Sequence, residues 1–542
     1  MGGIWRKREI DAASRDVYER VIWPDHFLRK VEAEVDFSFI NGICAQVYHN
    51  GTPKGGRPAE EPEILFRALL VMVLYGLPSE SSLVRELGVN LAYRWFCQLG
   101  ISEAIFDHSL LYVLRERLGA ELFETILVRI FVQCLEQGLV GHEWAFYDMT
   151  AIEAAAAPFS RYEQAVILAR AVWRLLEQGP GRNPPADPSQ PAGQATDELR
   201  AQVIATAKDV TRAKHSRERH IAKALDRLEA LGAAPEAAHL PLTERVAREL
   251  VERQPPSPVG QAQELPHYMS QLLAQLPHAR GDADARWGST RKGHYFCGYL
   301  SGILVDGKYR VISGTHLVAG NVAQGAALCA SPLPASYRKL TGRAPRQAGL
   351  DAGFGYPEVA LWLQREWPET QLYLQPHPPP PLSPTQQQVF DGSHFELTDQ
   401  DQLLCPNPAL PPEQRQMKIL AHRQDGSFDY QGQACQDCPL RAQCTTKAEG
   451  PRVVKLHPAK HRSRLALEAQ ARTPAHHQAM RQRMATIEPV FGHGKSYHHW
   501  GKARYRSHAM NQIFNLLVAI ALNVEKLVRY APLERARRAA AA

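Results

Sequence analysis

A mixed α/β core flanked by helices is the fold that the 542-residue sequence predicts, and three observations carry that reading. Apolar residues recur every three or four positions through residues 60–140, in EPEILFRALLVMVLYGL, SSLVRELGVNLAYRWFCQLG and HSLLYVLRERLGAELFETILVRIFVQCLEQGL, the pattern of amphipathic helices. After Gly141 the pattern turns to strand-like runs at 142–154, 294–307, 309–320, 344–355 and 371–377. A further helical stretch with alternating charge, 198–232, falls between the first and second of these runs and reads as an exposed helical hairpin interrupting the sheet.

Taken in order, the amino-terminal part reads as all-helical, with Ser82 and His108-Ser109 as helix starts and breaks at Gly88 and Gly100. A helix-turn-helix and a plain bundle are both compatible with that pattern. Asp306-Gly307 is a tight-turn signal, so the second and third runs form an antiparallel hairpin. YPEVALWLQREW (356–367) is a helix feeding the last strand in βαβ fashion. Proline-rich stretches at 179–193, 254–261 and 376–384 read as linkers or long loops. The longest apolar run, Ile513–Leu522, contains Asn515 and is too short to span a membrane, so it reads as a core helix. No apolar segment follows the charged amino terminus, and the expected compartment is the cytoplasm.

The composition, 44% hydrophobic and 22% charged, excludes global disorder. The net charge of +7 hides an asymmetry: Pro451–Ala542 holds 17 Lys/Arg against 4 Asp/Glu, leaving 46 against 52 elsewhere. Tyr497, Trp500 and Tyr505 are interleaved among those cations. A basic, aromatic-bearing segment fits contact with a polyphosphate backbone, although a solvated helix face with a basic tail has the same composition.

Three acids stand out within this frame. Asp148 is expected to end an apolar strand, and Asp351 ends Ala348-Gly349-Leu350 with Gly353 and Gly355 beyond it. Acids at strand ends project into clefts when small residues open the turn that follows. Glu488 lies directly before a proline inside the basic region. Each alone reads most simply as a turn, cap or ion-pair carboxylate. Three that converge would repel one another unless they held hard cations such as Mg2+.

The segments YDMTAIEA, GLDAGFGYPE and RMATIEPVFGHGK resemble the three acidic signatures of bacterial insertion-sequence transposases of the DDE type, and most nearly the branch named after insertion sequence eleven-eighty-two. DADARWGSTRKGHYFCGYLSG resembles that branch's lead into the second strand, and EPEILFRALLVMVLYGL with FDHSLLYVLRERLG its helical amino-terminal domain. The likeness covers about residues 15–155 and 280–530. It implies an RNase H-like core with Asp148, Asp351 and Glu488 as catalytic ligands of two Mg2+ ions, Mn2+ being a substitute. These ions would activate water to release a 3′-hydroxyl and then activate that hydroxyl to attack target DNA.

The resemblance also implies DNA or phosphate contacts from Arg483 and Lys495, and the basic segment adds Lys502, Arg504 and Arg506 as candidates. Met480 stands where related transposases often have Tyr, and Leu300 replaces a basic residue. The implied partners are double-stranded DNA, as transposon ends and target, and further copies of the chain on that DNA; no membrane is involved, and the location is nucleoid-associated. The rival readings are a catalytically inactive transposase-derived DNA-binding protein and an RNase H-like nuclease.

The expected organisation is a helical DNA-binding domain over 1–140, core segments over 141–160 and 281–400, a helical insertion over 161–280, a Cys-rich insertion over 401–450, the rest of the core over 451–530, and a basic tail over 531–542. Within the Cys-rich insertion, Cys435-x2-Cys438 with Cys444 and Cys405 could complete a tetrahedral zinc site, an arrangement that also resembles the Cys-rich insertion of that branch. Reduced structural cysteines are the alternative. His457-x3-His461 and His476-His477 have ligand spacing, yet histidines in a basic segment are usually solvated. Gly492-x-Gly494-Lys495-Ser496 lacks the strand and first glycine of a phosphate loop, which excludes a nucleotide-triphosphatase.

Overall fold

The computed structural model describes the chain apart from residues 1–4, 7, 9, 49–57, 179–193, 214, 233–241, 253–264, 277–278, 292–293, 379–388, 448 and 542. The first two proline-rich stretches therefore lie outside the described residues, as does most of the third.

Six strands form the central sheet: β1 (Trp144–Glu153), β2 (Arg286–Arg291), β3 (His294–Asp306), β4 (Val311–Ala319), β5 (Gln347–Leu350) and β6 (Gln371–Leu374). β3 is antiparallel to β1, β2 and β4, whereas β1, β5 and β6 run parallel to one another. This is the mixed α/β sheet the sequence predicts, with the strand directions of an RNase H-like core. β3 is buried from Phe296 to Asp306 because it is paired on both sides and covered on both faces. The β3–β4 hairpin forms as expected, but its link is 307–310, with Arg310 in the left-handed region at φ 62°. The Asp306 carboxylate fixes this corner by accepting N–H groups from Gly141, His142 and Lys308 at 2.9–3.0 Å and the Tyr337 hydroxyl at 3.1 Å.

Several expectations need correction. β1 continues through Met149–Glu153, so Asp148 sits in mid-strand; Thr150 and Ile152 are buried and keep the pairing with β3 going. Only Gln347–Leu350 of the 344–355 run is a strand, since Asp351–Gly355 turns away. β2 lies in a stretch read as a lead-in. Ser79 caps the helix Glu80–Val89 through its side chain, and Ser82 lies inside that helix. The six-residue helix Leu91–Phe96, between Gly88 and Gly100, buries Tyr93, Arg94 and Phe96, so the bundle reading holds there.

The terminal helix His508–Ala541 is the element on which the sheet edge rests. It is buried continuously from Ile513 to Val524, and its two buried asparagines explain the polar interruptions of an apolar run. Asn523 donates to the Ile312 carbonyl and accepts from the Ile312 N–H, both at 2.8 Å, so it satisfies the backbone of β4 on the side away from β3. Asn515 accepts from Ser301 at 2.6 Å and from the Trp500 indole at 2.8 Å, and donates to Thr315 at 2.8 Å. Residues 531–541, expected as a basic tail, continue this helix: Ala531 and Glu534 are buried, and Glu534 pairs with Lys308 at 3.2 Å.

Buried apolar side chains fall into three groups. The largest runs from Leu28 in the amino-terminal helices through the sheet to Leu527, joined by the helical segment Ser109–Glu136, which is kinked at Gly119 and packs on the terminal helix. The helices between Arg161 and Gln275 close around their own core, including Ile167, Ile221 and Met269. A third, small core of Phe395, Leu403, Met417, Tyr430, Val454 and Leu456 underlies a three-stranded antiparallel sheet of Lys418–His422, Phe428–Gln431 and Val453–Leu456. The sheet of the Cys-rich segment thus extends past residue 450.

Asn515 is the test of this arrangement. Asn515→Ala leaves two buried donors and a hydroxyl acceptor without their partner, and is expected to cost about 2–4 kcal/mol in chemical denaturation. A cost below about 1 kcal/mol would contradict the role assigned to it.

Candidate active site

Strand register brings the first two acids together. In the parallel pair, Trp144 faces Gln347 and Phe146 faces Gly349; the same offset carried two residues on places Asp351 beside Asp148. Because side chains alternate along a strand, Tyr147 turns to the other face, where its hydroxyl lies 2.6 Å from His316 Nε2. Asp351 opens the turn after β5, and its Oδ1 accepts the Gly353 N–H at 3.0 Å.

The third acid comes from the helix Pro474–Tyr497, which crosses β1 and β5. Gly349 leaves room for the Phe146 ring on the adjacent strand, since a Cβ there would stand 3.0 Å from it. Pro489 sits inside the helix and lacks the N–H that would bond to the Ala485 carbonyl. Arg310 supplies the missing donor, reaching Ala485 O at 3.1 Å. The helix therefore continues through Glu488 despite the proline.

One cation joins these pieces. Arg483 Nη2 lies 2.7 Å from Asp148 Oδ2 and 3.2 Å from Asp351 Oδ2. Burial pushes Asp148 up to about 7; Arg483 opposes that, while Asp351 and Glu488 add to it. The site thus gathers more negative charge than one guanidinium balances. Lys495, two turns beyond Glu488, is also close: although the residue is exposed overall, desolvation around its ammonium holds it below the usual lysine range against the pull of Asp148 and Glu153. Hard oxygen donors with a surplus of negative charge fit a divalent cation such as Mg2+, and the residues that would hold it are Asp148, Asp351 and Glu488.

The expected DNA contacts separate into two groups. Lys495, Lys502 and Arg506 are exposed, and Lys502 runs beside the end of β1, where Glu153 N donates to Gly501 O at 3.0 Å and Ala503 N donates to Glu153 O at 2.7 Å. Arg504 is engaged internally: it donates to Leu77 O at 2.6 Å and lies over the Phe514 ring. Arg483 is likewise turned inward, onto the two aspartates. The contacts made by these two arginines tie the fold together, which the basic composition of the segment could not distinguish from phosphate binding.

Cys405, Cys435, Cys438 and Cys444 line one small cavity of about 20 Å3. Asn407 Nδ2 donates to Cys438 Sγ and Arg452 N to Cys435 Sγ, both at 3.5 Å. His457 caps the helix Pro458–Ala471, and His476 pairs with Gln375 at 3.0 Å, so both are occupied by the protein itself. Sequence spacing missed a group that the fold assembles from distant positions: the ligand atoms of His493, His498 and Glu525 lie within 4.8 Å of one another. Among the described residues neither the four cysteines nor the carboxylates of Asp148, Asp351 and Glu488 reach that spacing.

The mixed sheet sets Asp148 and Asp351 on neighbouring parallel strands, bridged by an arginine of the helix that carries Glu488. Residues 15–117 match a family model described as a transposase domain, and residues 404–528 match one described as a transposase DDE domain. Together these matches support an insertion-sequence DDE transposase. No curated protein and no solved structure matches the chain. Among the described residues, no helix is long and apolar enough to cross a membrane.

The Asp148 environment makes a pH prediction. In metal-free protein Asp148 keeps its proton to about pH 7, whereas in the unfolded chain it loses it near pH 4. The folded state binds the extra proton between these values, so this group's contribution to stability falls as pH rises from about 4 to about 7. In denaturation measured in the presence of chelator, Asp148→Asn is expected to flatten that fall. An unchanged pH profile would refute the assignment.

Proposed function

We propose that the chain binds the ends of an insertion sequence and catalyses Mg2+-dependent DNA strand cleavage followed by strand transfer. The bridging of Asp148 and Asp351 by Arg483, on the same helix as Glu488 and within a chain that matches transposase domain models, is the observation that carries this reading. The nearness to the eleven-eighty-two branch rests on the sequence motifs alone.

Arg483 aligns the two aspartates and offsets part of their repulsion. Bound among the three carboxylates, Mg2+ would supply charge neutralisation at phosphorus and a lowered pKa for the attacking hydroxyl. Lys495, Lys502 and Arg506 lie exposed in the segment that follows Glu488 and draw the phosphate backbone towards it. Cleavage adds water across a phosphodiester, giving a 3′-hydroxyl and a 5′-phosphate. Transfer then forms a new phosphodiester from that 3′-hydroxyl and releases a 3′-hydroxyl on the target strand. Cys405, Cys435, Cys438 and Cys444, which line one small cavity, would hold Zn2+ as a staple for the small sheet around Tyr430, whose core is slight.

Asp148→Asn, Asp351→Asn and Glu488→Gln are each expected to abolish Mg2+-dependent cleavage of DNA carrying the element's ends while leaving end binding nearly intact. Robust cleavage by any one of them would overturn that residue's role. Cleavage by the wild-type protein without joined products would instead mark a hydrolytic nuclease. For the cysteines, Cys435→Ser or Cys438→Ser is expected to remove about one Zn2+ per chain in metal analysis. Fully reduced, active protein with no such loss would refute the zinc staple.

A further inference from the structure

We infer that His493, His498 and Glu525 form a binding site for a divalent transition-metal ion of the zinc class, separate from the three carboxylates of the active site. The inference rests on how the His498 ring is held. His498 is buried, and its Nδ1 lies 2.9 Å from the Val73 carbonyl. A carbonyl oxygen only accepts, so Nδ1 carries the proton and donates it. The other ring nitrogen, Nε2, faces Glu525. That atom stands 3.1 Å from Glu525 Oε1, is buried, and makes no hydrogen bond. A buried ring nitrogen with no hydrogen-bond partner, set beside a carboxylate oxygen, is an arrangement that a bound cation would satisfy.

His493 adds the third ligand. Its Nε2 lies 2.8 Å from the other carboxylate oxygen, Glu525 Oε2, and the two imidazole rings are 5.2 Å apart. Tetrahedral zinc with bonds of about 2.0–2.2 Å sets its ligand atoms roughly 3.3–3.6 Å apart, and the ligand atoms here, all within 4.8 Å of one another, reach that spacing by shifts of roughly one ångström or less. Donation of the second ring nitrogen to a backbone carbonyl is also the usual way a metal-bound histidine is oriented. Two imidazoles and one carboxylate suit zinc better than the all-oxygen set that Mg2+ prefers. The His493 side chain is 39% exposed, which gives water access to a fourth position.

The site would tie three parts of the chain. Val73 ends the helix Pro62–Leu74 region, His493 and His498 end the helix that carries Glu488, and Glu525 belongs to the terminal helix. The adjoining turn is latched to the same place, with His499 Nε2 2.9 Å from Gly76 O. A bound ion would therefore fix the helix five residues beyond Glu488 against both the amino-terminal bundle and the terminal helix.

The test uses full-length wild-type protein, His493→Ala, Glu525→Gln and Cys435→Ser, each loaded with Zn2+, dialysed and analysed for bound metal, with thermal unfolding measured with and without Zn2+. His493 is partly exposed and Glu525→Gln preserves shape, so the two variants probe the site from two elements. Both are expected to lose one equivalent of zinc that Cys435→Ser retains, and to lose the corresponding part of the zinc-induced rise in Tm. Their affinity at this site should fall more than about tenfold, since even an outer-shell partner contributes 10–100-fold. Zinc content and Tm response equal to those of the wild-type protein in both variants would overturn the site.

Discussion

The pairing of one arginine with two aspartates is the contact on which the catalytic arrangement depends. β1 and β5 are parallel neighbours whose register sets Asp148 beside Asp351, and two carboxylates so placed repel each other in a partly dry environment. Arg483 answers that repulsion at 2.7 and 3.2 Å. Because Arg483 and Glu488 share a helix, the same contact sets the position of the third acid. Pro489 would disturb the helix at this point, and Arg310, from the β3–β4 link, satisfies the carbonyl that the proline frees. The left-handed backbone of Arg310 therefore belongs to the same local solution.

Around this contact the chain divides by core and not by sequence order. The amino-terminal helices share their apolar interior with the sheet and the terminal helix, so the segment matched by the first transposase model is braced directly against the catalytic core. Asn515 and Asn523 make that brace specific, because each satisfies polar groups that an all-apolar helix would strand. The helical insertion and the Cys-rich segment have cores of their own. Each departs from the central sheet between its strands or after them, and neither supplies a carboxylate to the site.

The candidate site was legible through the likeness of three short motifs to a family, since each acid alone reads most simply as a turn, cap or ion-pair carboxylate. The Asp306-Gly307 hairpin and the core nature of Ile513–Leu522, by contrast, followed from local signals. What escaped depends on distant pairing. The β1 run beyond Asp148 looks like a strand end until Thr150 and Ile152 are seen to be buried against β3. Arg504 looks like any cation of a basic segment until Leu77 and Phe514 are placed around it. Glu525 sits in an apolar helix 27 residues beyond His498, and no spacing rule connects them. The expectation of a basic tail after 530 failed for a related reason, since Glu534 meets Lys308 from the other side of the sheet.

The account's central claim is that Asp148, Asp351 and Glu488 act as one divalent-cation site organised by Arg483. Mn2+ binding to the full-length protein, followed by electron paramagnetic resonance, tests it most directly, because Mn2+ shares the oxygen preference of Mg2+. The wild-type protein should bind Mn2+ in competition with Mg2+, and Asp351→Asn, at the more exposed of the two aspartates, should lose that binding while keeping its fold. Equal Mn2+ binding by the wild-type and Asp351→Asn proteins would contradict the account.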